Sequence, residues 1–351
     1  MVEFYGKREA KLIAGVGIFL MLIHHFFGFP TWRLSENGYI EPIVIGGISI
    51  ERVFAAFGKI CVSIFAFATG FAIYKFPIQY NTPAKCLTRL FKFLVAYWVI
   101  LALFLFYGWC IGDPLPPLSY FLKHNLIGNY TGPEAPYVNV PFAWYVMYYI
   151  FLMAIAPILI WLFKKSNAVF DVLFAILITI CVQQITLNTF NVIIGVLPLS
   201  IIGILCCKWH VFDILHQKWN PSIILSIGII TIIVASRQVL TYINWGGYFE
   251  GIITTSFLFL TINIFKALSG ANVLIPFFLT LGKSSMNLWF LHGIFFTGSR
   301  PLQYLLYYPQ YSLLILIWGI ILLLALNKIV SLIQRPLLSA INGFSRNTCL
   351  Q

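Results

Sequence analysis

The stretch LIAGVGIFLMLIHHFFGFP, residues 12–30, decides the fold class of this chain. Its apolar run is close to the ~20 residues that a helix needs to cross a bilayer. It nevertheless contains two adjacent histidines, His24 and His25. An ionisable residue in a spanning helix is costly, so it usually faces a protein interior or a water-filled cavity and has a function there. The segment therefore predicts a membrane protein whose chemistry or cargo site lies partly within the membrane.

The composition of the whole chain indicates the same class. Of its 351 residues, 60% are hydrophobic and 9% are charged, and the mean hydropathy is +0.91. A soluble domain is typically about 25% charged, so this chain cannot cover a surface that faces water. Helices must span the membrane, because lipid offers no partner to an unpaired backbone group. We predict an all-α, polytopic integral membrane protein with a single membrane-embedded domain over residues 1–351.

Polar, charged or Pro/Gly-containing breaks separate about ten apolar runs, which we take as candidate transmembrane helices. The sixth and eighth are short against the length of a span. The runs cover roughly residues 12–29, 53–74, 90–111, 142–163, 168–187, 192–207, 223–240, 251–265, 273–296 and 313–333.

The net charge of +12 is interpreted as a topology signal and not as evidence of nucleic-acid binding. If the N-terminus is cytoplasmic and ten runs alternate, fifteen of the 22 Lys and Arg residues lie inside and five outside. Lys59 and Lys283 fall within predicted spans. This asymmetry is the positive-inside pattern, and attraction to anionic membrane lipids accompanies it. It predicts two cytoplasmic termini. The seven cysteines show no metal-ligand or disulfide spacing, so we predict no metal site.

Helical rise places His25 and Lys59 at similar depth. Counted from Lys11 at the inner end of the first run, His25 lies about 21 Å along the helix, in the outer half of a core about 30 Å thick. Lys59 lies about 10 Å below the outer boundary of the second run, which starts near Arg52. We therefore predict a polar pocket shared by His25 and Lys59. The alternative is that Lys59 extends outward to the interface.

Three further segments carry polar or aromatic groups, and the role of each segment has two possible interpretations. In LGKSSMNLWFLHGIFF, residues 281–296, His292 is either an interfacial histidine or part of a site with its polar neighbours. In KCLTRLFK, residues 85–92, the basic residues share one face if the segment is helical, and they either bind phosphate or only mark the inner side. Trp144 and Tyr145 belong either to an interfacial aromatic belt or to a stacking platform for a sugar ring.

Together these segments resemble the acyltransferase 3 family of polytopic membrane acyltransferases, and they are closest to its stand-alone bacterial members. The resemblance covers nearly the whole chain. It rests on the order and spacing of IFLMLIHHFFGFP (18–30), FGKICVSIFAFATGFAIY (57–74), RLFKFLVAYW (89–98), FAWYVMYYIFLMAIAPIL (142–159) and LGKSSMNLWFLH (281–292).

The resemblance implies an acyl-CoA-dependent O-acyltransferase in the bacterial cytoplasmic (inner) membrane. Such an enzyme transfers an acyl group, usually acetyl from cytoplasmic acetyl-CoA, to a hydroxyl or amine of an extracytoplasmic glycan or lipid-linked sugar of the cell envelope. Acyl-CoA is then a co-substrate, and no tightly bound cofactor is implied.

The family's signature in the first span is a basic residue, ten intervening residues and a catalytic histidine. Counting back from His25 gives Ala14, and counting back from His24 gives Ile13, so neither position is basic. Lys11, one helical turn before Ala14, is the candidate replacement. The resemblance assigns the catalytic position to His25, and we predict that His24 packs or bonds a neighbouring helix.

The family's Ser-Gly-Phe in the second span is Thr69-Gly70-Phe71 here, which retains a hydroxyl. A histidine base suits acyl transfer because the acceptor hydroxyl must lose a proton, and a cation such as Lys59 stabilises the developing oxyanion. The predicted catalytic group is His25, His24 and Lys59. The predicted acyl-CoA group is Lys11, Lys85, Arg89, Lys92 and Lys283. The predicted acceptor group is Glu51, Trp144, Tyr145, Asn287 and His292.

Two other classes of function are compatible with the residues. The first is a transporter or flippase of a lipid-linked glycan, with intramembrane charges along its path. The second is a haem-binding membrane protein that uses histidines of the first and ninth runs as axial ligands.

Overall fold

The computed structural model describes residues 3–28, 40, 44–129, 137–185, 194–296 and 300–348, and these residues are mainly helical. The first helices are α1 (Lys7–Phe27), α2 (Ile50–Gly58), α3 (Ile60–Lys75), α4 (Pro83–Ile111), α5 (Leu118–Tyr120), α6 (Trp144–Lys165) and α7 (Ala168–Gln184). The later helices are α8 (Leu197–Lys208), α9 (Val211–Lys218), α10 (Ile223–Tyr242), α11 (Gly246–Ala267), α12 (Leu274–Lys283), α13 (Ser285–Leu291), α14 (Arg300–Tyr307) and α15 (Ser312–Thr348).

Shorter elements link these helices. The strands β1 (Val44–Ile45) and β2 (Ile48–Ser49) form an antiparallel hairpin directly before α2. A π-turn (Phe121–Asn125) continues α5. Two 3-10 turns, Pro77–Gln79 and His292–Phe295, follow α3 and α13.

The prediction of an all-α, polytopic membrane protein is confirmed. Among the described residues, seven helices are long and apolar enough to span a membrane, where α2 and α3 count as one. The pair α8 and α9, bent by 62°, forms an eighth if it is one span. The sequence predicts ten. The difference arises partly because α7 has only 17 residues and because the ninth run is interrupted after Lys283.

The described chain divides into two compact units that alternate along the sequence. The first unit comprises Met1–Gly28, Arg52–Asn81 and Ile158–Ser285. The second comprises Phe29–Glu51, Thr82–Pro157 and Met286–Gln351. The single domain over residues 1–351 stays a prediction.

In the first unit, helix backbones approach each other closely at glycines. A Cβ atom added to Gly282 on α12 would lie 1.8 Å from the carbonyl oxygen of Lys11 on α1. A Cβ atom added to Gly70 on α3 would lie 1.9 Å from the carbonyl oxygen of Ser200 on α8. Small residues allow membrane helices to pack backbone against backbone. These contacts hold α1, which carries Lys11, His24 and His25, against α12, and they hold α3 against α8.

In the second unit, a buried amide network connects three helices. Asn287 on α13 and Gln334 on α15 donate to each other's side-chain oxygens over 2.9 and 3.0 Å. Gln334 also donates to the carbonyl oxygen of Ala96 on α4. Side-chain hydrogen bonds of this kind hold helices together where hydrophobic driving force is weak.

Candidate functional site

The two histidines lie near the C-terminal end of α1 and make different hydrogen bonds. The His25 side chain is buried, and its Nδ1 lies 3.1 Å from the carbonyl oxygen of Met21 in the same helix. The half-buried His24 places its Nδ1 2.7 Å from the carbonyl oxygen of Ala55 on α2. The two ring centroids are 4.9 Å apart. His24 thus bonds a neighbouring helix, which is one of the two arrangements predicted for it.

These bonds determine which ring nitrogen can act as a base. A carbonyl oxygen only accepts, so Nδ1 must donate in both histidines. A neutral imidazole with its proton on Nδ1 has an unprotonated Nε2. Each ring is thus held in the tautomer whose Nε2 can take up a proton, as a general base requires.

Lys59 occupies the break between α2 and α3, and its side chain is exposed. His25 is buried, and the polar pocket that it shares with Lys59 stays a prediction. The role of Lys59 at the oxyanion stays a prediction.

A buried ion pair, which the sequence reasoning missed, lies close to the carbonyl that binds His24. Arg237 on α10 donates to Glu250 on α11 through Nε and Nη2, over distances of 3.0 to 3.2 Å. Ser63 on α3 donates to the same carboxylate over 2.6 Å. Only 9% and 14% of the Arg237 and Glu250 side chains are exposed. Arg237 also donates to the carbonyl oxygen of Ala56 over 3.3 Å.

This ion pair connects four helices around the histidine pair. Its guanidinium binds α2 at Ala56, one residue after the carbonyl that His24 uses. Arg237 is one of the five Lys and Arg residues that the alternating topology places outside. A signal was available, since Arg237 and Glu250 carry opposite charges on either side of the break between two successive apolar runs.

The Thr69-Gly70-Phe71 motif has a structural explanation for two of its three residues. The Thr69 hydroxyl donates over 2.8 Å to the carbonyl oxygen of Phe65, one turn earlier in α3. Gly70 permits the close contact with α8 described above. Phe71 lines the cavity at the opposite end of α1 from the histidines.

That cavity, of about 680 Å³, lies at the start of α1 in the first unit. Three lysines line it, namely Lys7, Lys11 and Lys75. Lys75 is paired with the carboxylate of Glu3. The remaining wall includes small apolar residues, Ala10, Ala14, Ala68, Ala72 and Gly282. The cavity therefore combines three lysine side chains with a wall of small apolar residues.

Tyr5 also lines this cavity, and its ring is buried. Among the residues that the structure describes, its hydroxyl has no hydrogen-bond partner. Burial, together with the negative charge of Glu9, raises the pKa of the Tyr5 phenol. The hydroxyl consequently stays a neutral donor at physiological pH.

The cavity and the histidine pair lie at opposite ends of one helix. Ala14 is the cavity residue furthest along α1, and His25 follows eleven residues later. At 1.5 Å per residue, this separation is about 16 Å. A substrate bound in the cavity must therefore reach or move about 16 Å to meet the histidines.

The other predicted donor-binding cations fall into two groups. Lys283 ends α12 in the first unit and is exposed. Lys85, Arg89 and Lys92 lie in the first turns of α4 in the second unit, so the helix that their spacing required is confirmed. Lys85 is exposed, whereas Arg89 and Lys92 are half-buried. Their role in donor binding stays a prediction.

Three of the predicted acceptor residues belong to an aromatic cluster of two ring groups, which a hydrogen bond of 3.4 Å from Trp289 Nε1 to the Phe142 carbonyl oxygen connects. The Tyr145 ring lies 5.9 Å from that of Trp144 and 5.3 Å from that of Trp289. The fully buried His292 ring stacks on Phe142 at 4.9 Å. Phe142 has a φ of 67°, in the left-handed region that non-glycine residues rarely adopt. Such strain tends to occur at functional sites.

The other two acceptor candidates already use their polar atoms within the second unit. Glu51 accepts hydrogen bonds from the hydroxyls of Ser49 and Ser312, over 2.8 and 2.9 Å. Asn287 belongs to the amide network with Gln334. An acceptor would have to displace these bonds to use either side chain.

In the part of the chain that the structure describes, no group of three or more His, Cys, Asp or Glu side chains could hold a metal ion.

Comparison with known proteins yields one match. The acyltransferase 3 family model, described as an acyltransferase domain, matches residues 11–335, which is nearly the whole chain. No curated protein and no solved structure matches the chain.

Proposed function

The chain belongs to the acyltransferase 3 family, and on this premise we propose that it transfers an acyl group from cytoplasmic acyl-CoA to an extracytoplasmic glycan. Acetyl is the proposed acyl group, and a hydroxyl of a glycan or lipid-linked sugar is the proposed acceptor. The proposed location is the cytoplasmic membrane of a bacterium, with ten spans and both termini inside. Family membership supports a membrane acyltransferase, and the finer assignments are our proposal.

The observation that carries the proposal is the arrangement of the two ends of α1. A cavity with three lysines lies at its start, and two histidines with a basic Nε2 lie at its end. Under the proposed topology, the start of α1 is at the cytoplasmic side, where acyl-CoA is found. The end of the helix lies in the outer half, near the extracytoplasmic acceptor.

The cavity suits an acyl-CoA on two grounds. The ammonium groups of Lys7 and Lys11 can pair with its phosphates, and that of Lys75 can do so once it leaves the Glu3 carboxylate. Such charge-assisted bonds are stronger than neutral ones. The alanine-lined wall accommodates the thin pantetheine arm of the acyl-CoA. We assign further phosphate contacts to Lys85, Arg89, Lys92 and Lys283 on the strength of the family resemblance.

The proposed reaction uses His25 as a general base. The acceptor hydroxyl gives its proton to Nε2, and its oxygen forms a bond to the acyl carbonyl carbon. The carbon–sulfur bond of the thioester then breaks, and the departing sulfur takes the proton back from the imidazolium to leave the free thiol of CoA. His24 orients α1 through its bond to α2. The aromatic cluster around Trp144 and His292 is assigned to acceptor binding.

The test is acyl transfer in proteoliposomes supplied with radiolabelled acetyl-CoA on the side of the termini and a cell-envelope glycan on the other. We expect His25→Ala to lower the rate by about 10²–10⁴, the usual contribution of a general base. His24→Ala should cost less, and His210→Ala is the matched control because His210 is an exposed histidine. Full activity in His25→Ala would contradict the mechanism. Cargo movement that does not depend on acyl-CoA would favour the transporter alternative.

A further inference from the structure

A short π-turn in the second unit has an unusual backbone. The amide of Leu126 donates to the carbonyl oxygen of Phe121, and that of Asn129 donates to His124, over 2.9 and 2.8 Å. Both bonds span five residues, as in a π-helix. Isolated π-turns are rare and are frequent at functional sites. This segment lies between α4 and α6, on the outer side in the proposed topology.

Neighbouring elements hold the π-turn rigidly. Tyr97 and Trp98 on α4 donate to the carbonyl oxygens of Asn125 and Leu126, over 2.7 and 2.8 Å. The Asn125 side chain donates through Nδ2 to the carbonyl oxygen of Val138 over 2.9 Å. The surface next to Asn125 is therefore formed in advance of any ligand.

Aromatic rings form the rim of this surface. The rings of Tyr120 and His124 stack with centroids 4.4 Å apart. Tyr137 lies edge-on to Tyr120 at 5.0 Å. All three side chains are half-buried, so part of the aromatic surface remains accessible.

A hydrogen-bond acceptor lies buried behind this rim. Asn125 is only 3% exposed, and its Oδ1 has no hydrogen-bond partner among the described residues. Its orientation follows from the bond that Nδ2 donates to Val138. A buried acceptor without a partner is costly, and no donor for it lies among the residues that the structure describes, so a ligand hydroxyl that donates to it would be favourable. Asn129 and Asn139 line the same cleft and offer further amide groups.

The size of the cleft limits what can reach Asn125. Its enclosed volume is about 10 Å³, which is about the space that one water molecule needs. One hydroxyl group of a larger ligand fills the same space as a water and donates the missing hydrogen bond. The described lining of the cleft consists of aromatic and amide side chains, one histidine and the small or apolar residues Gly128, Val140 and Ala143. This described lining includes no carboxylate, lysine or arginine.

We propose that this cleft binds a neutral sugar unit of the acceptor glycan, separately from the aromatic cluster around Trp144. The sugar ring stacks on the rim of Tyr120, His124 and Tyr137, and one hydroxyl enters the cleft to donate to Asn125 Oδ1. The inference rests on the proposed function for the identity of the glycan and for its side of the membrane.

The experiment measures sugar binding without acyl-CoA, so that it is independent of catalysis. The full chain in nanodiscs is exposed to arrayed neutral trisaccharides of glucose, galactose, mannose, rhamnose and N-acetylglucosamine. We expect at least one to bind, and Tyr120→Ala to weaken that binding by about tenfold, as the loss of an aromatic contact implies. His124→Ala should act in the same direction. Lys123→Ala is the control, because Lys123 is exposed in the same turn and is not part of the cleft.

The outcomes separate this inference from the proposed function. If no trisaccharide binds, or if Tyr120→Ala binds as well as wild type, the cleft holds water only and the inference fails. Binding that depends on Tyr120 and persists in His25→Ala supports the inference. If wild type transfers acetyl while Tyr120→Ala leaves sugar binding unchanged, the proposed function stands without this site. If binding depends on Tyr120 but wild type transfers no acyl group, the site stands and the proposed function fails.

Discussion

The change Glu250→Gln tests whether the buried ion pair stabilises the first unit. The carboxylate of Glu250 accepts three contacts of 3.0 to 3.2 Å from Arg237 and one of 2.6 Å from Ser63. Gln keeps the shape and one oxygen but removes the negative charge. The Arg237 side chain, of which 9% is exposed, then stays buried without a counter-charge. Breaking one side of a buried pair costs about 3–5 kcal/mol.

The assay is thermal unfolding of the purified chain in nanodiscs at one fixed scan rate, since unfolding of large proteins is often irreversible. At about 2 °C per kcal/mol, the lower end for larger domains, the apparent Tm should fall by about 6–10 °C. Glu51→Gln is the control, because Glu51 accepts from two serine hydroxyls and its loss should cost about 1 kcal/mol or less per bond.

The double variant Arg237→Gln/Glu250→Gln tests whether the loss of stability comes from an unpaired buried charge. With both charges removed, no uncompensated charge remains buried, and such replacements are often close to neutral. The double variant should therefore be more stable than Glu250→Gln alone. If the two substitutions add, or if Glu250→Gln changes the apparent Tm by less than 2 °C, the ion pair does not stabilise this unit as argued.

Three further predictions concern the donor cavity, the helix packing and the topology. Lys11→Ala and Arg89→Ala should raise the apparent KM for acyl-CoA, by about 10- to 150-fold each if each cation contributes a charge-assisted bond of about 1.5–3 kcal/mol, and an unchanged KM in both would reduce these cations to topology signals. Gly70→Val should abolish folded protein in membranes, because even a Cβ atom would lie 1.9 Å from the Ser200 carbonyl oxygen; size-exclusion profiles of solubilised membranes measure this, and a normal profile would show that α3 and α8 can separate at little cost. Reporter fusions at residue 112 and at the C-terminus should report opposite sides of the membrane, and one shared compartment would refute the topology.

The class of this fold is determined by local properties of the sequence. Within the described residues, each of the ten apolar runs overlaps a helix or an interrupted helix, because an apolar segment in lipid must satisfy its backbone bonds internally. The histidines of α1 and the family motifs can likewise be recognised from single segments of the sequence. The interruption of the ninth run at Lys283 was not predicted, although the polar residues there were recognised.

The same reasoning could not predict which side chains are buried. Helical rise predicts a similar depth for Lys59 and His25. The Lys59 side chain is nevertheless exposed, whereas the His25 side chain is buried. Depth along a helix follows from residue counting, whereas the direction of a side chain around the helix depends on which neighbour packs there.

The sequence by itself determined that the chain is a helical membrane protein with histidines in its first apolar run and a family resemblance over nearly its whole length. Only the tertiary structure decided which polar groups meet. Ser63 and Glu250 are 187 residues apart and share a hydrogen bond, whereas the buried Oδ1 of Asn125 has no partner in the part of the chain that the structure describes. Hydrophobicity and helical periodicity act within a single run of about 20 residues, but the partner of a buried polar atom is set by the packing of distant helices.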